Sequence, residues 1–445
     1  MRWSVASGAV ALSLRCALAL DVSSNNKDSL QSAASKTIWG MMTYYHGNET
    51  GEIPGAFPSK WWEGSALMMA LTQYWFYTGD TTYNDALSTG MQWQGGENGD
   101  YMPRNYSRFL GNDDQMFWGT AAMTAAELSY PDNPSGFSWL SLAQGVYNTQ
   151  IKRWDTTGCG GGLRWQIYPY QAGYTMKNSI SNGGLFQLAA RLYRYTEDTQ
   201  YLDWANKVWD WSVSSPLVNN KTWNVADSTN MPSCDDQGDQ QWTYNYGAYL
   251  AGAAYLYNST SGSDADRWKD VVDGLLGVML KNFVEDGILK EASCEPIDNC
   301  NLNEILFKGV TSTWLSLVAM IVPETAKKIL PLLEKSAAAV GKTCGTGNSC
   351  GIKWSTQESD GTSGMEQQVS ASDVILASMS QFGNTKPPVT AKTGGNSSSN
   401  PNAGEKEDET PRERPMTTGD RVGAAFLTVI VLGTWSGSLV WLGWS

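Results

Sequence analysis

Asp113 and Asp114 stand side by side in Asn112-Asp113-Asp114-Gln115, directly ahead of the apolar run Met116, Phe117, Trp118, Ala121, Ala122 and Met123. Acids at a helix start are ordinarily caps, because a carboxylate suits the unpaired N–H groups and the dipole of the first turn. A helix that is apolar on every side has no solvated face to receive two of them, so a cavity must. Like charges held close drive one pKa upward and leave a carboxylate beside a carboxylic acid. Those are the two states that cleave a glycosidic bond without metal, cofactor or imidazole, one group as nucleophile and one as proton donor. Inverting cleavage would need carboxyls ~6.5–9.5 Å apart, which neighbours in sequence do not easily reach. The single histidine, His46, ends the first amphipathic stretch and reads as a surface residue, so no Ser-His or Cys-His pair can be assembled.

A second pair, Asp235-Asp236-Gln237, follows Cys234 in a polar loop and reads as solvated or ligand-contacting. Thr243-Tyr244-Asn245-Tyr246-Gly247 and Lys177-Asn178-Ser179 through Asn182-Gly183-Gly184 open apolar segments with amide, hydroxyl and phenol groups that can hydrogen-bond sugar hydroxyls. Singly such residues are caps; only their convergence on one rim argues for ligand contact. Residues 235–239 lack calcium-loop spacing, and Gly158 to Gly162 lacks both the context of a phosphate loop and a following lysine. No metal and no cofactor are therefore expected.

The elements that must position these groups recur regularly. Segments near 60–78, 112–129, 177–197, 241–258, 304–322 and 366–383 are apolar nearly all round, as in Trp61, Trp62, Leu67, Met68, Met69, Leu71, Tyr74, Trp75 and Phe76. Between them, segments near 28–45, 81–94, 136–153, 199–213, 264–283 and 324–341 are one-sided. Trp268, Val271, Val272, Leu275, Met279 and Phe283 form one such stripe. Six buried helices alternating with six one-faced helices predict an all-α (α/α)6 barrel of six inner and six outer helices, two stacked helical domains being the alternative. The connections into inner segments, 95–111, 156–176, 219–240, 293–303 and 345–364, are long and rich in Gly, Asn, Asp and aromatics. Those leaving them are short, as in Tyr77-Thr78-Gly79-Asp80. Long loops gathered at one end of a closed scaffold place the functional face where the inner helices begin.

A formal net charge of -13 opposes nucleic acid or an anionic membrane surface as partner. Trp 21 against Phe 10 leans toward rings that stack on sugars, although more than half of the indoles are expected as packing. Met1-Arg2, an apolar stretch from Val10 to Leu14 and Ala17-Leu18-Ala19 predict a signal peptide over 1–19. The barrel is expected over 20–385, a Ser/Asn/Pro-rich and charged linker over 386–420, and a hydrophobic tail over 421–445. The tail is uncharged after Arg421, which favours a removed glycosylphosphatidylinositol (GPI) signal over a retained span. Six cysteines remain after Cys16; Cys294 with Cys300 and Cys344 with Cys350 are local pairs, which leaves Cys159 with Cys234. Sequons at Asn48, Asn105, Asn220, Asn258 and Asn396 fit a secretory route.

Taken together, Trp61-Trp62-Glu63-Gly64, Asn112-Asp113-Asp114-Gln115 with Phe117-Trp118, Lys177-Asn178-Ser179 through Asn182-Gly183, Thr243-Tyr244-Asn245 and Phe307-Lys308-Gly309 resemble glycoside hydrolase family 76, the endo-α-1,6-mannanases. More narrowly, the chain resembles the family's fungal GPI-anchored branch over about residues 21–385. The resemblance implies an (α/α)6 barrel and a retaining double displacement with Asp113 as nucleophile and Asp114 as acid/base. Substrate contact is expected from Trp62, Asn112, Gln115, Asn178, Asn182, Asp235, Asp236, Tyr244 and Asn245. The implied donor is an α-mannoside, the mannose core of a GPI glycan, and the implied acceptor a cell wall glycan, at the outer face of the plasma membrane and in the wall. The residues leave open a plain endo-α-1,6-mannosidase and, in another class, a non-catalytic glycan-binding wall protein. Tyr246 departs from the Gln common at that place in bacterial members, so subsite preference is not carried over.

Overall fold

The computed structural model describes residues 20–58, 60–238, 240–382, 386–404 and 418–444. The expected signal peptide at 1–19 lies outside them. The chain divides into two units, Met1–Glu405 and Lys406–Ser445.

In the first unit, inner helices α2 (Trp61–Thr78), α4 (Asn112–Glu127), α6 (Ser179–Thr196), α8 (Thr243–Ser259), α10 (Leu302–Ile321) and α12 (Met365–Ser378) each pack on the next, and α12 closes on α2. Closure of the ring excludes two stacked domains. Outer helices α1 (Lys27–Met42), α3 (Asn84–Gln94), α5 (Trp139–Lys152), α7 (Thr199–Ser214), α9 (Ser263–Asn282) and α11 (Pro323–Thr343) cover them. The apolar pattern dictates this division. Every residue of α8 from Thr243 to Leu256 is buried, whereas α9 buries only Trp268, Val271, Val272, Leu275, Leu276 and Met279. An all-round apolar helix belongs inside a ring, and a one-sided helix can only cover it.

Two short antiparallel pairs, absent from the sequence reading, tie the long loops. β1 (Met176–Asn178) pairs with β2 (Ser228–Asn230), and β3 (Val284–Glu285) pairs with β4 (Ile288–Leu289). Disulfides join Cys159 to Cys234, Cys294 to Cys300 and Cys344 to Cys350, as the sequence paired them.

Buried charges lock the frame at both ends. At the far end of α4 and α6 the Arg191 guanidinium meets Glu127 Oε2 at 2.7 Å, and Tyr255 O–H of α8 donates to the same oxygen at 2.8 Å. At the loop end Lys177 Nζ donates to the carbonyls of Asp155, Gly158 and Gly161. Lys308 Nζ reaches Glu295 Oε1 at 2.6 Å. Both lysines of the recurring motifs are thus loop anchors.

The stretch from 386, expected as a linker, is bonded to the barrel as far as it is described. Val389 N–H donates to Glu127 O, Ala391 N–H to Tyr195 O and Ser397 O–H to Asp132 Oδ1, while Asn148 Nδ2 donates to the carbonyls of Pro401 and Ala403. Polar composition reads as linker only until outer helices supply partners for it. In the second unit, α13 (Thr418–Trp444) exposes Phe426, Val429 and Trp435. Among the described residues the helix long and apolar enough to cross a membrane is α10, and it is buried in the ring. The five sequon asparagines are exposed, yet Asn258 is engaged, its Nδ2 donating to Ile321 O and its Oδ1 accepting from Arg194.

Candidate active site

The loops entering α2, α4, α6, α8 and α10 surround a groove of about 600 Å³. Its rings are Trp61, Trp62, Tyr106, Phe109, Phe117, Trp165, Tyr244 and Phe307, and its charged groups are Lys60, Asp113, Asp114 and Asp227. This size and this mix of apolar walls with few polar groups are typical of small-molecule sites.

The acid pair stands in the first turn of α4. Gly111 N–H donates to Asp114 Oδ2 at 2.7 Å, Asp114 N–H to Asp113 Oδ1 at 3.0 Å, and Asn178 Nδ2 to Asp113 Oδ2 at 3.3 Å. Gly111 has an ordinary backbone (φ -88, ψ 166), so its lack of a side chain has another reason. A Cβ there would overlap Asp113 Oδ1 and lie 3.3 Å from Asp114 Oδ2. Both carboxyls thus converge on one point, closer together than the ~6.5–9.5 Å of inverting pairs and within reach of the ~5–5.5 Å of retaining ones.

Burial raises both pKa values. Asp113 is held well above the usual carboxylate range, first by burial and then by the charge of Asp114. Asp114 is pushed up to about 6 by burial, against the Gly111 N–H and the Lys60 ammonium, which lower it. The pair therefore shares a proton near neutral pH.

Aromatic rings build the floor beside the pair. Tyr244 stacks on Phe307 with centroids 3.7 Å apart, and Phe117 lies parallel to Trp314 at 6.1 Å. Trp62 packs against Phe117 at 4.6 Å and donates its Nε1–H to Asn303 Oδ1 at 3.0 Å. Gly64, in the same motif, lets α2 approach Gly55 O, which any Cβ at 64 would overlap. Asn178 Oδ1, on the groove wall, is buried without a protein partner and is free to accept from a ligand hydroxyl.

Of the residues singled out from sequence, Trp62, Asp113, Asp114, Asn178 and Tyr244 line the groove. Others lie outside its lining. Asn112 accepts from Arg153 Nε at 2.8 Å and donates to Arg164 O, while Gln115 bonds Asp100 O, Thr149 and Arg153. Asn182 is spent on both backbone groups of Leu163. These three amides are buried braces beneath the pair. Asn245 donates to Asp227 Oδ1 at 3.1 Å. Asp235 bonds Ser233, and Asp236 caps Asn230 in an exposed loop, so this second pair serves its own turn. His46 is exposed and paired with Glu49.

Asp227, Lys60, Tyr106, Phe109, Trp165, Gln166 and Asn303 also line the groove and were not foreseen. Asp227 is the chief omission. It adjoins β2, whose pairing with β1 brings it beside Asn178, and a single acid in a polar loop carries no local signal of that pairing. Burial raises its pKa, with the charge of Glu304 adding to the effect.

The model for glycosyl hydrolase family 76 matches residues 29–392. The mannan endo-1,6-alpha-mannosidase DCW1 of Saccharomyces cerevisiae is 41% identical over 423 residues, 93% of each chain. The crystal structure of Dfg5 from Chaetomium thermophilum in complex with glucosamine is 38% identical, with a TM-score of 0.82 over 89% of this chain and 100% of that one. An inactive variant of the alpha-1,6-mannanase GH76A from a Salegentibacter species, in complex with alpha-1,6-mannotriose, is 18% identical. Its TM-score of 0.64 over 79% of this chain and 99% of that one bears on the fold alone.

Proposed function

This chain belongs to glycosyl hydrolase family 76 and is a glycoside hydrolase, and from that premise we propose that it cleaves α-1,6-linked mannosides by a retaining double displacement and hands the mannosyl group to a second glycan. The carrying observation is the acid pair, its two carboxyls converging in front of Gly111 on the floor of an aromatic groove. In the first step the Asp113 carboxylate attacks the anomeric carbon while Asp114 gives its proton to the departing oxygen. In the second, Asp114 takes a proton from the incoming hydroxyl, which attacks the anomeric carbon and releases Asp113. The proton that the pair shares must stand on Asp114 for the first step. The glycosidic oxygen supplies the reason, because it accepts a hydrogen bond only from a protonated Asp114.

The reversed roles, Asp114 as nucleophile and Asp113 as acid/base, would draw on the same shared proton. Trapping of the covalent intermediate, considered in the Discussion, separates the two.

Three carboxyl groups face one ammonium in the groove, which suits neutral or cationic sugars and repels anionic ones. A relative solved with glucosamine is in keeping with that. We assign Asp227, Asn178 and Tyr244 to sugar contact. The predicted leader, sequons and apolar tail support a secretory route and a GPI tether, with a GPI-core glycan as donor and a wall glycan as acceptor. Product analysis on α-1,6-mannan with and without added acceptor oligosaccharide tests the transfer. Acceptor-extended products support it; free mannosides alone, at any acceptor concentration, reduce the enzyme to a hydrolase.

A further inference from the structure

We propose that the loops 95–111 and 156–176 carry a binding platform that continues outward from the groove lining at Phe109, on which further pyranose units of the same glycan chain stack against Phe109 and Tyr170. The proposal rests on the reading that the groove takes a glycan and extends it beyond the reacting sugar.

Phe109 lines the groove yet is 75% exposed, and Tyr170 is 65% exposed. An exposed aromatic side chain is usually mobile, but Tyr170 is fixed at both ends. Its hydroxyl donates to Arg108 O at 2.8 Å, and its ring lies parallel to that of Tyr168, 5° between planes and 5.3 Å between centroids. Tyr168 is buried beneath it. The hydrogen bond to Arg108 attaches the Tyr170 ring to the residue next to Phe109, so the two rings belong to one wall.

Further bonds stiffen that wall. Gln171 Nε2 donates to Gln166 Oε1 at 2.8 Å and reaches Leu110 O at 3.4 Å, while its Oε1 accepts from Tyr168 N–H. Gly111 bridges to Gln166, and Asn112 N–H donates to Trp165 O. The same two loops therefore hold the acid pair from behind and present the rings in front. A rigid apolar face kept in water suits a partner that is itself rigid and has one apolar face, which is what a pyranose ring offers. Continuity settles the occupant: Phe109 belongs to the groove lining, so the next units of a bound glycan leave the groove across it.

The test compares a short substrate that fits the groove, an aryl α-mannobioside, with long α-1,6-mannan oligosaccharides. The variant Tyr170→Ala, at a residue outside the groove lining, should raise KM for the long chains by roughly tenfold with kcat unchanged, and leave the short substrate as it was. Tyr170→Phe keeps the ring and loses only its tie to Arg108, so it should raise the long-chain KM by a few-fold. Equal effects on both lengths, or no effect on either in an enzyme that turns over mannan, overturn the platform alone. Failure of the unmodified enzyme to turn over either length overturns the platform together with the reading it rests on.

Discussion

Replacing Asp114 by asparagine should stabilise the protein at neutral pH while ending its turnover. Burial pushes the Asp114 carboxyl from 3.8 up to about 6. A rise of about two units is worth roughly 3 kcal/mol of preference for the protonated form. The folded value lies above the unfolded one, so folding takes up a proton. The associated stability is fully present below about pH 4 and is lost as pH rises through about 6. Well above that range the ionised carboxyl costs the fold up to about 3 kcal/mol, and asparagine avoids the cost. An amide oxygen can still accept from Gly111 N–H, now 2.7 Å from Asp114 Oδ2. The substitution also removes the charge that helps to raise Asp113. Urea unfolding of both proteins across this pH range is the assay. The variant should exceed the parent by about 1–3 kcal/mol at neutral pH, and the two should converge in acid. A variant no more stable than its parent at neutral pH, or a gain that does not fade in acid, refutes the claim that the pair is held in place against its own ionisation.

Two further outcomes follow from the same geometry. Gly111→Ala directs a methyl group onto Asp113 Oδ1; turnover should fall by roughly a hundredfold through misplacement of the pair, with the far-ultraviolet circular dichroism of the parent retained, and near-normal kcat would contradict the packing argument. Glu127→Gln strips Arg191 of its buried charge partner and should cost about 3–5 kcal/mol in denaturant unfolding. Because Glu127 ends the helix that Asp113 and Asp114 begin, about 20 Å away, KM of the folded fraction should not change.

The barrel was legible because its signal is periodic and repeated. An all-apolar helix such as α8 and a one-sided helix such as α9 differ in every turn, and six alternations leave few ways to pack them. The acid pair was legible because two carboxyls at the head of a buried helix need a cavity. Which polar side chains around the pair face the groove was not. Asn112, Gln115 and Asn182 have the same side-chain chemistry as Asn178, yet Arg153, Arg164 and Leu163 claim their amides. Asp235-Asp236 looked like a second reactive pair, whereas the lone Asp227, eight residues earlier in the same loop, is the acid that reaches the groove. Which loop side chain faces inward depends on β1 pairing with β2 and on the Cys159–Cys234 link, contacts between segments far apart in the chain. The bonding of the 386–404 stretch to the barrel has no signal in its composition for a related reason, since polar residues acquire structure only from partners on α5 and at the ends of α4 and α6.

The most direct test of the central claim is to trap the glycosyl-enzyme with a fluorinated α-mannosyl donor and locate the modified residue by peptide mass spectrometry. A mannosyl ester on Asp113, absent from Asp113→Asn protein, is the predicted result. An ester on Asp114 would reverse the two roles, and a fully folded protein that consumes the donor without any covalent adduct would contradict the double displacement itself.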